Sequence, residues 1–153
     1  MQRLAQALPQ VRAALEGETD PIAIQATLAC LLFEACIQTH WCGFYRRVSN
    51  SELAVGPYQG TMGCLRISLA RGVCGRAAKT GEIQLVHDVT TFPGHIVCDA
   101  RSLSELVIPI VVAGEVRAVL DLDCPHKSGF SRAEGDVLQA LVDATLGDPA
   151  VAW

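Results

Sequence analysis

Long apolar runs are absent from this chain of 153 residues, although half of its residues are hydrophobic. A helix that crosses a bilayer needs about twenty consecutive apolar residues, so the sequence predicts no contact with a membrane. The first six residues, Met1–Gln6, also lack the apolar core and the small-residue cleavage site of a secretory signal. These absences favour a cytoplasmic protein, and the length fits one compact domain over residues 1–153.

Basic clusters and metal-ligand pairs are missing as well. The net charge is −4 and the twelve Lys and Arg residues form no basic cluster, which disfavours nucleic acid as a partner. None of the seven cysteines and four histidines shows the close spacing of zinc ligands, so we expect neither a metal nor another cofactor. Phosphate-binding glycine loops, Gly-x-Ser-x-Gly motifs and His-Glu-x-x-His motifs are also absent.

Hydrophobic periodicity predicts an α+β fold, in which helices pack on a central antiparallel sheet of mostly hairpin-linked strands. The predicted helices cover about residues 2–16, 21–38, 73–79 and the segment after 131, and the predicted strands cover 41–48, 52–55, 65–69, 83–86, 105–112 and 116–123. The segment Gly56–Gly60 is interpreted as a turn, because it combines glycine and proline.

Cysteine is frequent, and three of the seven cysteines are candidates for thiol chemistry: Cys64, Cys74 and Cys98. In a reducing compartment, disulfides tend to be transient and catalytic rather than structural. Cys98 lies in a predicted irregular loop, residues 88–104, and loops longer than about twelve residues are uncommon unless they are functional. Cys74 begins a predicted helix, whose dipole is expected to lower the pKa of the thiol.

The other four cysteines are interpreted as ordinary residues of the fold. Cys30 and Cys36 lie in the second predicted helix, and we assign both to packing because free cysteine is often a small core residue. Cys42 is expected to pack on the opposite face of its strand from Trp41, and Cys124 to be partly exposed at a strand end. From pattern alone, an inert thiol is the commoner interpretation for any single candidate as well.

Three carboxylates are predicted to meet at one place. Asp121 and Asp123 project from the same face of a strand because strand side chains alternate, and Glu105 opens the neighbouring strand of a predicted hairpin. Such a group has at least one raised pKa through like-charge repulsion and burial, and a neutral carboxylic acid at pH 7 can donate a proton. The alternative is that all three are surface acids at strand ends.

Two aromatic residues, Trp41 and Tyr45, are four apart in a predicted strand and therefore share a face. Aromatic residues on one face are more often core packing than part of a ligand site. The other interpretation is an apolar wall around a small side chain or a methyl group. The pattern alone leaves both interpretations open.

Several separate segments together resemble the free methionine-(R)-sulfoxide reductases, which are single-domain proteins of the GAF fold. The segments are Trp41-Cys42-Gly43-Phe44-Tyr45, Gly56-Pro57-Tyr58-Gln59-Gly60, Cys64-Leu65-Arg66-Ile67, Arg71-Gly72-Val73-Cys74-Gly75, Phe92-Pro93-Gly94-His95-Ile96-Val97-Cys98-Asp99, Ser104-Glu105 and Leu120-Asp121-Leu122-Asp123. The resemblance spans residues 25–142, and ordinary GAF modules lack the three cysteines and the Pro-Gly-His loop. It implies an oxidoreductase that converts free L-methionine (R)-sulfoxide to L-methionine.

The resemblance also implies a role for each candidate residue. Cys98 is the implied nucleophile, Cys64 the main resolving thiol and Cys74 an alternative resolving thiol, so catalysis passes through a sulfenic acid and an intramolecular disulfide. The implied substrate-binding groups are the acids Glu105, Asp121 and Asp123, the aromatic wall of Trp41 and Tyr45, and the backbone amides of Ile96, Val97 and Cys98. Thioredoxin is the implied electron donor, and a homodimer is the implied assembly.

Two other functional classes remain open at this point. A GAF module that senses a small molecule without catalysis has the same fold, because one fold hosts many functions. A thiol-based metal or redox sensor would also carry several cysteines. The metal content of the reduced protein would separate such a sensor from the enzyme.

Overall fold

The computed structural model describes residues 2–153. Within these residues the strands form a six-stranded antiparallel sheet, and helices pack against it. Met1, the first residue of the predicted domain, lies outside the described residues. The helices are α1 (Gln2–Ala14), α2 (Pro21–Ala35), α3 (Gly72–Thr80) and α4 (Arg132–Thr145), and the strands are β1 (Trp41–Arg47), β2 (Glu52–Gly60), β3 (Arg66–Ser68), β4 (Gln84–Val86), β5 (Ser104–Val112) and β6 (Glu115–Cys124). The strands lie in the order β3-β2-β1-β6-β5-β4, which confirms the predicted α+β fold.

The two faces of the sheet bury different side chains because strand residues alternate in direction. On one face, α1, α2 and α4 contribute to a core that includes Phe44 and Leu120. On the other face, α3 packs over a smaller core that includes Tyr45 and Val119. All of the candidate site residues that are buried lie on the side of this smaller core.

Local sequence signals set the ends of the helices. Asp20 caps α2, and its carboxylate accepts hydrogen bonds from the backbone of Ile22 at 2.7 Å and of Ala23 at 3.1 Å. Ser131 opens α4 with a capping box, and Gly81 ends α3 in the left-handed conformation at φ 69°. No helix within residues 2–153 is long and apolar enough to cross a membrane.

Two predictions about local structure were wrong. The segment Gly56–Gly60 is not a turn, because β2 continues through it and pairs with Trp41–Gly43 of β1. The register shifts at Gly56 and Pro57, and this bulge accommodates a proline whose missing N–H would interrupt a regular ladder. Helix α2 ends at Ala35, about three residues earlier than its periodicity predicts.

Two of the predictions about cysteine burial were also wrong. Cys30 is exposed, because it lies off the apolar stripe of α2. Cys124 is fully buried, because β6 continues through it and turns its side chain into the core on the opposite face from Asp121. Cys36 and Cys42 are buried as predicted, and Cys42 lies on the opposite face of β1 from Trp41.

Candidate active site

Cys64 and Cys98 form a disulfide between the loop that follows β2 and the loop that precedes β5. Their Cα atoms lie 5.2 Å apart, although 34 residues separate them in the chain. Both residues are half-buried. The fold therefore brings together the two residues that the resemblance implied as nucleophile and main resolving thiol, and Cys74 stays free.

A polar clamp of Thr61, Asp99 and Arg101 joins the same two loops beside the disulfide. The Thr61 hydroxyl donates to Asp99 Oδ2 at 2.8 Å, and Arg101 Nη2 donates to this oxygen at 2.7 Å and to Thr61 Oγ1 at 2.9 Å. Hydrogen bonds from Arg101 and then from Thr61 hold the pKa of Asp99 well below its usual range. The clamp joins the two loops through contacts other than the S–S bond.

The three predicted carboxylates do meet, on the face of the sheet below α3. Glu105 pairs with Asp123 across β5 and β6, and Val107 pairs with Asp121, which places all three acids on the same side. Glu105 is 6% exposed and Asp121 is 5% exposed. Glu105 and Asp121 are therefore not surface residues at strand ends, which was the alternative interpretation, and Asp123 is half-buried.

Burial raises the pKa of all three carboxyl groups. It raises the pKa of Asp121 to about 7. Burial, and then the charge of Asp121, raises the pKa values of Glu105 and Asp123 well above their usual range. Hydrogen bonding between Glu105 and Asp121 raises the pKa of Glu105 and lowers that of Asp121, the pattern of a Glu105 carboxylic acid donating to an Asp121 carboxylate. The raised pKa of Glu105 agrees with the predicted neutral acid, whose proton-donating role stays a prediction.

Cys74 lies in the first turn of α3, as predicted, but the expected lowering of its pKa was wrong. Its thiol is buried and donates to Glu105 Oε1 at 3.8 Å. Burial, followed by the charges of Asp121 and Glu105, raises the pKa of Cys74 well above its usual value. These effects on the pKa of Cys74 are larger than the opposite effect of the helix dipole. Cys74 is therefore a protonated donor to the acid group.

The predicted aromatic wall forms, and a third ring joins it. The rings of Trp41 and Tyr45 stack with their centroids 5.5 Å apart, and Tyr58 stacks on Trp41 from β2 at 5.4 Å. Tyr58 lies opposite Gly43 in the strand pair, and a Cβ atom on Gly43 would collide with Tyr58 and Trp41. Tyr58 was not predicted as part of this wall, because the glycines and the proline around it favour a turn.

A cavity lies between the disulfide, the aromatic wall and the acids. The predicted site residues that line it are Trp41, Tyr45, Cys74, Ile96, Cys98, Glu105, Asp121 and Asp123. Cys64 and Val97 are not part of the lining, and the side chain of Val97 is exposed. The cavity leaves about 30 Å³ for the centres of water-sized molecules, which is room for about two waters. The disulfide form therefore leaves little free space inside this cavity.

Three atoms of the cavity-lining residues are buried without a hydrogen-bond partner among residues 2–153: Trp41 Nε1, His95 Nδ1 and Asp121 Oδ1. His95 Nδ1 lies 3.9 Å from Glu105 Oε2, and burial lowers the pKa of His95. Buried polar atoms are normally hydrogen-bonded. The cavity is therefore suited to a polar ligand that offers both donors and acceptors.

Eight of the residues that line the cavity were not predicted from the sequence. The missed residues are Met62, Gly63, Ile67, Gly72, Val73, His95, Asp99 and Ser102. Met62 and Gly63 stand next to Cys64 in the chain, so their proximity to a candidate cysteine was an available signal. Ser102 carries no such signal, because only the packing of distant segments brings it to the cavity.

Cys74, Glu105 and Asp121 also form a group that could hold a cation, with one donor atom of each within 4.8 Å of the others. Sequence spacing could not reveal it, because the residues come from α3, β5 and β6. Metal ligands must be deprotonated, whereas burial raises the pKa of all three groups. Protonation therefore competes with any metal at this place.

Comparison with known proteins identifies the class that this fold and site define. Residues 20–145 match the family model of the GAF domain. Because the match covers most of the chain, the protein is a member of the GAF domain family.

Named relatives narrow the class further. Free methionine-R-sulfoxide reductase of Escherichia coli (strain K12) is 40% identical over 130 residues, which cover 85% of this chain and 78% of that protein. The X-ray structure of free methionine-R-sulfoxide reductase from Neisseria meningitidis in complex with its substrate has a TM-score of 0.86 at 38% identity and covers 92% of this chain and 84% of that one. The reduced form of fRMsr of Staphylococcus aureus has a TM-score of 0.89 at 36% identity and covers 97% and 95%. This chain belongs to the free methionine-R-sulfoxide reductases, a family of oxidoreductases, as the resemblance implied.

Proposed function

We propose that this protein reduces free methionine-(R)-sulfoxide to methionine, with Cys98 as the nucleophile and Cys64 as the main resolving thiol. The observation that carries the proposal is a disulfide between these two cysteines beside a cavity lined by Glu105, whose pKa burial raises well above its usual range. The relatives named above support the choice of substrate. No other thiol within residues 2–153 lines the cavity except the buried Cys74.

Reduction of a sulfoxide needs a nucleophile for the sulfur and a proton for the oxygen, which is otherwise a poor leaving group. In the proposed reaction the Cys98 thiolate attacks the sulfur, and the carboxylic acid of Glu105 protonates the oxygen. Methionine leaves and the oxygen remains on Cys98 as a sulfenic acid. The sulfoxide gains two electrons and the cysteine sulfur loses two, so the step balances.

Resolution returns the enzyme to its thiol form. Cys64 attacks the Cys98 sulfenic acid, and water leaves as the disulfide forms. An external dithiol then reduces this disulfide, and thioredoxin is the proposed donor. The clamp beside the two cysteines supports Cys64 as the main resolving thiol. Cys74 remains the alternative, although its raised pKa disfavours the thiolate that this role requires.

The cavity supplies a different contact for each part of the substrate. The proposed contacts are Trp41 and Tyr45 with the methyl-sulfur end, Glu105, Asp121 and Asp123 with the sulfoxide oxygen and the amino group, and the backbone amides of Ile96, Val97 and Cys98 with the carboxylate. An enclosed cavity favours a free amino acid over the same residue in a peptide. Because the disulfide form has little free space, we expect the substrate to enter only the reduced form.

A single-turnover assay tests the proposal. The fully reduced protein is separated from reductant and mixed with excess free methionine-(R)-sulfoxide or with the (S) epimer, and the methionine released is quantified by mass spectrometry. We expect about one methionine per protein with the (R) epimer and none with Cys98→Ser. Cys64→Ser should keep the first turnover and lose turnover supported by thioredoxin. Equal reduction of both epimers, or of sulfoxide in a peptide, contradicts the proposed substrate, and methionine release by Cys98→Ser contradicts the proposed nucleophile.

A GAF sensor without catalysis is the second candidate, and the unpartnered polar atoms of the cavity are the observation that favours it. Such a sensor would bind a small polar ligand and release no methionine in the same assay. The homodimer implied by the resemblance is likewise a proposal. Sedimentation of the oxidised and reduced protein over a range of concentrations tests it.

A further inference from the structure

Large exposed apolar side chains flank both disulfide cysteines along the chain. Met62 is 78% exposed, Leu65 is 70% exposed and Val97 is 65% exposed, and each stands within two residues of Cys64 or Cys98. Elsewhere in residues 2–153, only Ile37 is as exposed among the large apolar side chains, at 66%. Single exposed apolar residues are ordinary, whereas a group of them marks an interaction surface. We call Met62, Leu65 and Val97 the apolar rim.

The apolar rim stands on backbone that other contacts hold in place. The carbonyl of Leu65 accepts a hydrogen bond from the backbone of Val55 at 3.1 Å, and the clamp between Thr61 and Asp99 joins the two loops that carry the rim. The S–S bond places both loops side by side. The rim is therefore a preorganised surface, and forming a contact with it costs little ordering of the backbone.

We propose that the apolar rim is the docking surface for the protein dithiol that reduces the Cys64–Cys98 disulfide. This proposal rests on the proposed function. The position of the apolar rim beside the disulfide indicates the kind of partner. Exposed apolar side chains next to a redox-active disulfide fit a partner that has apolar surface beside its own reactive thiol. A small dithiol needs no such surface. A protein must align one thiolate with a half-buried S–S bond, and contacts on both sides of this bond provide the alignment.

Docking would allow a thiol–disulfide exchange between the partner and the reductase, and this exchange balances in atoms and electrons. One thiolate of the partner attacks one sulfur of the Cys64–Cys98 disulfide, which gives a mixed disulfide and releases the other cysteine as a thiolate. The second thiol of the partner then breaks the mixed disulfide. The reductase gains two electrons and leaves with two thiols, and the partner loses two electrons and leaves with a disulfide.

Leu65 allows the clearest test because its side chain is exposed and does not line the cavity. The probes are thioredoxin, kept reduced by thioredoxin reductase and NADPH, and dithiothreitol, a small dithiol. We expect Leu65→Asp to raise the KM for thioredoxin about tenfold, which corresponds to about 1.4 kcal/mol. Turnover with dithiothreitol and single-turnover methionine release should stay at the wild-type level. Leu65→Met should keep the wild-type KM.

Val48→Asp is the matched control, because Val48 is an exposed apolar residue beyond the opposite end of β1 from Trp41. The proposal is overturned if Leu65→Asp and Val48→Asp give the same KM for thioredoxin. It is also overturned if wild-type protein turns over with dithiothreitol and not with thioredoxin, or if Leu65→Asp changes only the oligomeric state, since a second copy would then cover the rim. Absence of methionine in the wild-type single turnover would refute the proposed function instead. If Leu65→Asp loses activity with dithiothreitol, Leu65→Ser replaces it in the same comparison.

Discussion

Asp121 should make the stability of this protein fall as the pH rises, and Asp121→Asn should remove the contribution of this residue. Burial raises the pKa of Asp121 from 3.8 to about 7 in the folded protein. A carboxyl group whose folded pKa lies above its unfolded pKa stabilises the fold fully below the unfolded value, and this contribution is lost as the pH rises through the folded value. The affected window therefore runs from about pH 4 to about pH 7.

The size of the effect follows from the shift. A rise of about three units corresponds to about 4 kcal/mol in total, at 1.36 kcal/mol per unit, and about 3 kcal/mol of this is lost between pH 5 and pH 8. Asn has nearly the same shape as Asp and does not ionise. The free energy of unfolding of Asp121→Asn, relative to wild type, should therefore increase by about 3 kcal/mol between the two pH values.

Urea denaturation at pH 5 and pH 8, with the disulfide intact, measures this difference. With an m-value of about 2 kcal/mol/M, the midpoint of the variant should gain about 1.5 M relative to wild type between the two pH values. Asp136→Asn, on the exposed face of α4, controls for the loss of one negative charge. The reasoning is refuted if Asp121→Asn and Asp136→Asn change with pH to the same extent. Methionine release by Asp121→Asn should also decrease. Residues that lower stability in favour of function are typical of active sites, and we expect Asp121 to be one of them.

Three further predictions concern the surroundings of the site. Gly43→Ala should destabilise the protein by about 1–3 kcal/mol in urea denaturation, because the new methyl group collides with Tyr58; an unchanged midpoint would show that the strand pair relaxes freely. Thr61→Val should keep methionine release but slow formation of the disulfide severalfold in rapid-quench alkylation, because it removes one link of the clamp; equal rates would exclude this role. In the native oxidised protein, N-ethylmaleimide should label the exposed Cys30 and leave Cys124 unlabelled in peptide mass spectrometry, and comparable labelling of both would contradict their burial.

The sequence by itself determined the features that depend on neighbours in the chain. The N-cap at Asp20 and the capping box at Ser131 mark helix starts, because a side chain there satisfies the free N–H groups of the first turn. The alternation of β6 determined that Asp121 and Asp123 share a face. The order of the cysteine, aromatic and acidic segments along the chain was specific enough to indicate the family.

Only the tertiary structure decided the properties that depend on burial and on distant residues. The position of Cys74 in the first turn of a helix favoured a lowered pKa, but the packing of α3 against β5 and β6 buries the thiol beside two acids and reverses the shift. The stacking of Tyr58 required a bulge at Gly56 and Pro57 that no local pattern signalled. The clamp joins residues 38 and 40 positions apart. Local spacing sets the direction of a side chain, whereas its solvent exposure and its partners depend on how remote segments pack.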